Sequence, residues 1–230
     1  MRLISKWIKW MLILFFGSSI LFVVLYRFVP VPLSPLMVIR LAQQVKNGQQ
    51  LKLVHQWVPL DSISPSLPQA VWASEDQNFM KHSGFDFAQI KAAFEDAQNG
   101  GRERGASTIS QQTAKNVFLW PAHSWVRKGL EVYFTVLIEV LWSKERIMEV
   151  YLNTIEMGDG IYGAEAVAHE HFGCTALRLS QQQSALIAVS LPNPLKMNSG
   201  NPTKYMYRRQ SWVLRQMRFL GPFPRKAKEE

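Results

Sequence analysis

The sequence predicts a mainly α-helical domain carried behind one membrane-spanning helix. Three observations predict it. An uncharged run from Trp10 to Tyr26, rich in Leu, Ile, Phe and Val, is bounded by Lys9 and Arg27. Beyond it, apolar residues recur at helical spacing in one segment after another, most of them opened by Ser, Thr, Asp or Pro. No stretch reads as a series of strands, no fixed-period repeat appears, and nothing is low-complexity.

The apolar run falls slightly short of the ~20 residues of a typical span. Trp7, Ile8, Phe28 and Val29 extend it, Lys9 and Arg27 can snorkel, and Trp7, Trp10 and Tyr26 suit the interfaces. A cleaved signal peptide would end in small residues. This run ends in Tyr26-Arg-Phe-Val-Pro30, so it reads as an uncleaved anchor. Arg2, Lys6 and Lys9 ahead of it favour a cytoplasmic N-terminus and a domain on the far side.

Residues 1–30 are thus a cytoplasmic tip and anchor. Residues 31–60 form a linker and membrane-proximal segment, 61–222 the main domain, and 223–230 a charged tail. Val29-Pro-Val-Pro-Leu-Ser-Pro35 is stiff, because closely spaced prolines favour extended backbone. A short helix is expected over Met37–Val45, extended chain over Leu51–Pro59, and turns over Ser62–Pro68. Pro68 suits the first turn of a helix ending at Glu75. Asp86 can cap Phe87–Gln98, which Asn99-Gly-Gly101 stops. Ser107 or Thr108 can cap a helix to about Phe118, which Pro121 ends. Ser124 opens a long apolar helix to about Trp142, and Ser143 opens another through Asn153. Ser180 starts a helix through Ile187 that Pro192-Asn-Pro194 ends, and a basic helix covers Thr203–Leu220. The apolar faces of Phe85–Phe94 and Leu130–Trp142 read as core, with partial insertion into a bilayer as the alternative.

At 47% apolar residues and eight tryptophans in 230 residues, the chain can build a packed core, which argues against disorder. A net charge of +9 points to an anionic partner: nucleic acid, a lipid surface or a phosphorylated substrate. A domain anchored outside the cytosol would rarely meet nucleic acid, so that partner is not expected. Cys174 is the only cysteine, which excludes an intrachain disulfide, and it reads as a small buried residue. No metal site is expected. His169 and His171 stand two apart, on different faces of a helix, and there is no His-Glu-x-x-His, cysteine cluster or Walker loop.

Two segments carry candidate chemistry. Glu75-Asp-Gln-Asn-Phe-Met-Lys-His-Ser-Gly84 sets two carboxylates near a histidine, with Trp72, Phe79 and Phe85 able to supply an apolar pocket. Such a pocket tunes a carboxylate toward a base at neutral pH. Gly105-Ala-Ser-Thr-Ile-Ser-Gln-Gln-Thr-Ala-Lys-Asn116 sets hydroxyls, amides and Lys115 at the start of a helix, where free N–H groups attract anions. Each segment has a plain alternative: a solvated helix end with a core histidine, and an ordinary helix cap. Arg127 and Glu131, at i and i+4, can pair on one face. In Lys144–Asn153, Ile147, Val150 and Tyr151 read as core.

In order and spacing these blocks resemble those of the peptidoglycan glycosyltransferases, and Gly158-Asp-Gly-Ile-Tyr-Gly-Ala-Glu-Ala-Val167 is similar to a further family block. The likeness covers about Leu67 to Leu220 and is to the monofunctional branch. A class A penicillin-binding protein would continue into a transpeptidase domain after Glu230. The resemblance implies a lysozyme-like fold and polymerisation of lipid II into β-1,4-linked strands, with release of undecaprenyl pyrophosphate. It implies Glu75 as general base and Glu131 as a second essential carboxylate. Lys115, Arg127 and Lys128 would face the pyrophosphate, and Ser107, Thr108, Gln111, Gln112 and Asn116 would line the donor cleft, with Asp76, Phe79, His82 and His123 also at the substrate. It implies no fixed cofactor, leaving a divalent cation (Mg²⁺ or Mn²⁺) open. It implies a bacterial inner-membrane location, and cell-wall synthesis or division proteins as partners. A glycan-cleaving enzyme on the same fold, or a non-catalytic scaffold, are the alternatives. Two positions depart from the family pattern: Ala106 stands where a second glycine is usual, and His123 where an arginine is common. A neutral histidine is a weaker anion partner than arginine.

Overall fold

The computed structural model describes residues 2–98, 100, 105–122 and 124–225. Ten α-helices and three short strands occur among them: α1 (Arg2–Phe28), α2 (Pro35–Lys46), β1 (Val54–His55), α3 (Ser66–Glu75), α4 (Phe87–Gln98), α5 (Ile109–Phe118), α6 (Trp125–Leu141), α7 (Lys144–Thr154), β2 (Glu156–Gly158), β3 (Ile161–Tyr162), α8 (Ala164–Phe172), α9 (Gln181–Ser190) and α10 (Lys204–Leu220). The fold is mainly α and lysozyme-like, as expected.

Helix starts follow the side-chain chemistry of their caps. Thr108, Ser124, Ser143, Ser180 and Thr203 each accept a backbone N–H of the first turn. Asp86 accepts the Gln89 N–H at 2.9 Å and opens α4. Helix α2 begins at Pro35, under a Ser34 cap, two residues before its expected start. Helix α8 was not expected. Gly163 opens it without a side-chain cap, and Ala164–Ala168 are buried all round, so no amphipathic period marks it. The small sheet, in order β1-β3-β2, was also not expected. Its strands are two or three residues long, and it pairs Val54 with the distant Ile161.

Helix α9 lies at the centre. Ser184 to Ser190 are all buried, and it packs on α3 and α10. Ile147, Val150 and Tyr151 of α7 are fully buried, as expected. Cys174, expected to be buried, is half-buried at the rim of the core.

One helix, Lys6–Phe28, is long and apolar enough to cross a membrane. Its second half packs on the domain. Ser19 Oγ meets the Tyr133 hydroxyl at 2.7 Å, Trp142 Nε1 donates to the Val23 carbonyl at 2.8 Å, and Arg146 Nη2 donates to the Tyr26 carbonyl at 2.7 Å. Helix α6 therefore runs alongside the spanning segment. The expectation that α4 contributes to the core is overturned. It buries no residue, and Phe87 and Phe94 are 74% and 64% exposed. With Trp125, Val126 and Val140 also exposed, these apolar surfaces fit the alternative of contact with lipid. The face of α6 is split: Phe134 and Ile138 enter the core, while Val132, Val136 and Val140 remain outside.

Gly84 closes the loop after α3 with φ +90°, and a Cβ there would lie 2.8 Å from Thr135 Cγ2 of α6. Gly84→Ala is expected to cost about 1–3 kcal/mol through backbone strain and overpacking. Thermal unfolding of the full chain in detergent would read this as a lowered midpoint; an unmoved midpoint would show that the loop relaxes freely.

Candidate active site

Helix α3 ends where Asp76 turns extended, at φ −160°. Its carboxylate, 3% exposed, receives His82 Nε2 at 3.0 Å and the Ile109 N–H, the first of α5, at 3.0 Å. Nδ1 of His82 accepts the Gly84 N–H at 3.2 Å, which assigns the proton to Nε2. A buried carboxylate at a helix N-terminus satisfies a free N–H and complements the dipole. The start of α5 is thus filled by the protein's own anion, not left open for a substrate's. Thr108 and Gln111 complete a capping box: the Gln111 N–H donates to Thr108 Oγ1 at 3.2 Å, and the Thr108 N–H donates to Gln111 Oε1 at 3.0 Å.

This joint places the end of α3 beside α5. Gln112 Nε2 donates to Glu75 Oε2 at 3.0 Å, and the Tyr151 hydroxyl of α7 donates to Gln112 Oε1 at 3.1 Å. Burial keeps that hydroxyl protonated well above its usual range, so it holds the amide with its NH₂ toward Glu75. Glu75 retains some solvent contact but is hemmed in by protein. Desolvation raises its pKa above the ordinary 4.5, against the lowering effects of the Gln112 hydrogen bond and of Arg209 and Lys115.

The second carboxylate is on α6. Glu131, 3% exposed, holds Arg127 Nη1 at 2.7 Å and Lys128 Nζ at 2.5 Å. Arg127 also donates through Nε to the Ala122 carbonyl at 2.5 Å. Lys115, on the face of α5 that carries Gln112, has no ion pair with a described residue. Burial lowers its pKa below 10.5, while the negative charges of Glu131 and Glu75 raise it in part. Lys115, Asn116 and Arg127 line one cavity of about 350 Å³ with Leu119, Trp120 and, from α2 and β2, Arg40 and Glu156. Glu75 does not line that cavity. Lys115 lines the cavity, and its charge interacts with both carboxylates.

The structure therefore gathers Glu75, Gln112, Lys115, Asn116, Arg127, Lys128 and Glu131. Residues 42–218 match the family described as Transglycosylase. The chain belongs to the transglycosylase family. Three curated relatives bear the name biosynthetic peptidoglycan transglycosylase. That of Bacteroides thetaiotaomicron is 58% identical over 96% of this chain and 89% of its own. That of Bdellovibrio bacteriovorus is 52% identical over 92% and 84%, and that of Pseudomonas fluorescens 50% identical over 93% and 88%. This transglycosylase is accordingly a glycosyl-transferring enzyme.

Other expected site residues serve the transglycosylase by support. Phe79 is fully buried, stacked on Phe223 with Lys144 Nζ 4.4 Å from its ring centroid, and has no surface to offer a substrate. Asp76, His82, Thr108 and Gln111 form the joint just described. Ser107 is exposed on the loop before α5, and His123 lies outside the described residues. The sequence reading missed Tyr151 as a hydrogen-bond partner, Arg40 and Glu156 at the cavity, and Arg209, whose charge reaches Glu75. A hydroxyl on an apolar stripe was the available signal for Tyr151, and the Arg208-Arg209 pair in the basic helix was the signal for Arg209.

Asp76→Asn is expected to destabilise the protein by about 1–3 kcal/mol, because an amide cannot accept from both His82 and Ile109 with the same charge. Denaturant unfolding would measure this. Wild-type stability in the variant would mean that α5 does not rely on Asp76.

Proposed function

We propose that this enzyme polymerises lipid II into β-1,4-linked glycan strands, releasing undecaprenyl pyrophosphate by an inverting single displacement. One observation carries the reading: a desolvated carboxylate, Glu75, is held by an amide rather than a salt bridge, next to the cation Lys115. Glu75 takes the proton of the acceptor's 4-hydroxyl as that oxygen attacks the donor's anomeric carbon. The bond from that carbon to the diphosphate oxygen breaks, and the electron pair leaves with the diphosphate. Lys115 and Arg127 neutralise the charge that gathers there. Glu131 holds Arg127 and Lys128 in place. An α-linked donor giving a β-linked product needs one displacement, so no covalent enzyme intermediate is required.

A lipid-linked donor also needs an apolar place beside the cations. A cleft of about 420 Å³ between α1, α2, α5 and α6, lined by Phe15, Phe22, Leu33, Val38 and Phe134 among others, supports that part of the reading. The basic residues at the start of α1, Arg2, Lys6 and Lys9, support a cytoplasmic N-terminus and a periplasmic domain at the bacterial inner membrane. The chain's own residues fit a divalent cation poorly. Glu131 is committed to two cations and Glu156 to Arg40 and Tyr162, so any Mg²⁺ or Mn²⁺ would come with the diphosphate.

Glu75→Gln preserves the hydrogen bond from Gln112 and removes the base. Lipid II polymerisation is expected to fall about 10²–10⁴-fold. A folded variant that polymerises at the wild-type rate would take Glu75 out of the mechanism, and glycan cleavage without polymer by the wild type would favour a hydrolase. Stability moves the other way. Because burial raises the folded-state pKa of Glu75, the native protein binds this proton more tightly than the unfolded chain does. Wild-type stability therefore falls as pH rises from 4.5 through the folded pKa. Glu75→Gln is expected to unfold at a higher temperature than wild type at neutral pH, with the gain vanishing below 4.5.

Activity is expected to rise with pH through the raised pKa of Glu75 and to fall as Lys115 loses its proton below 10.5. Lys115→Arg should move only the alkaline limb, upward, because a guanidinium stays charged. An alkaline limb unmoved in this variant would assign it to another group.

A further inference from the structure

The cavity that holds Lys115 and Arg127 has a third cation in its wall, from outside the segments to which the sequence assigned chemistry. Arg40 lies on α2, the helix that follows the anchor after a short proline-rich linker. Its Nη2 meets Glu156 Oε2 at 3.3 Å and its Nη1 meets Gln43 Oε1 at 3.3 Å, both long for charge-assisted bonds. Its Nε is buried and has no hydrogen-bond partner among the described residues. A buried, unpaired donor on a charged group costs stability, and native proteins rarely keep one without a use.

We infer that Arg40, which α2 brings to the cavity, is a third diphosphate-binding cation of this enzyme. The inference rests on the lipid-linked donor proposed above. The Nε edge of a guanidinium presents two parallel N–H donors, which suit the two oxygens of one phosphate. Lys115 and Arg127 reach the same cavity from α5 and α6, so cations from three helices would meet the diphosphate. Glu156 also faces the cavity. It shares Arg40 and accepts the Tyr162 hydroxyl at 3.2 Å, so it has a second partner when Arg40 turns toward phosphate. The position also selects among ligands. Helix α2 follows the candidate spanning helix α1 after a short linker, so Arg40 stands near in the chain to the end of that span, the side from which a lipid-linked diphosphate would come.

The competing role is structural: Arg40 as mere counter-ion to Glu156, tying α2 to the sheet. Steady-state polymerisation of lipid II by the full chain in detergent separates the two, comparing wild type, Arg40→Gln, Glu156→Gln and the double variant. Arg40→Gln is expected to raise KM for lipid II about tenfold, the effect of losing one charged hydrogen bond, with kcat within about twofold. The double variant leaves no unpaired buried charge and should show the same rise. Glu156→Gln should move KM downward, because it removes the carboxylate that competes for Arg40. Arg40→Lys should recover only part of the loss, since an ammonium is a point donor. A KM raised as much by Glu156→Gln as by Arg40→Gln, or unmoved in both Arg40→Gln and the double variant, overturns the inference. Failure of the wild type to polymerise lipid II would instead strike the function proposed above.

Discussion

The buried carboxylate of Asp76 is the joint on which the site depends. It ends α3, takes the first N–H of α5, and holds His82, whose other nitrogen holds the backbone at Gly84. All these groups are secluded from water, so each would carry a desolvation cost if its partner left. Their mutual satisfaction explains why two helices that meet end to end, α3 by its last residues and α5 by its first, keep a fixed register. That register is what brings Gln112 within reach of Glu75.

Charge is distributed unequally around this joint, and the inequality is chemically useful. Glu131 is saturated by Arg127 and Lys128, so it acts as a fixed counter-ion. Glu75 has only an amide, itself oriented by Tyr151, and burial leaves it with more affinity for a proton than an exposed carboxylate has. Lys115 has no ion pair to a described residue, and burial weakens its hold on its own proton. A carboxylate that binds a proton more readily and a cation that holds one less tightly are both shifted toward neutral pH.

The anchor is more than a tether. Ser19, Val23 and Tyr26 of α1 bond to α6 and α7, so the domain keeps one position relative to the candidate spanning helix. The exposed apolar residues of α4 and α6 fall outside the core and suit contact with lipid. Helix α2 follows α1 in the chain and carries Arg40 to the cleft.

The sequence by itself determined the helices, because caps and 3.6-residue periodicity are local: Ser124, Ser143, Ser180 and Thr203 mark their helices as expected. It also determined the pairing of Arg127 with Glu131, since four residues on a helix bring side chains together in any fold. Local chemistry could not reveal α8, whose first five residues are all buried, or a sheet whose strands are two or three residues long and whose β1 is far in the chain from its partner β3. Nor could it divide the motif residues by duty. Asp76 and Glu75 are neighbours in the chain, yet one is sealed against α5 and the other opens toward Gln112. Phe79 was expected at the substrate and lies in the core, while α4 was expected in the core and lies outside it. Those assignments depend on which surfaces meet across the fold, and a helix pattern states only that one face is apolar, not what will cover it.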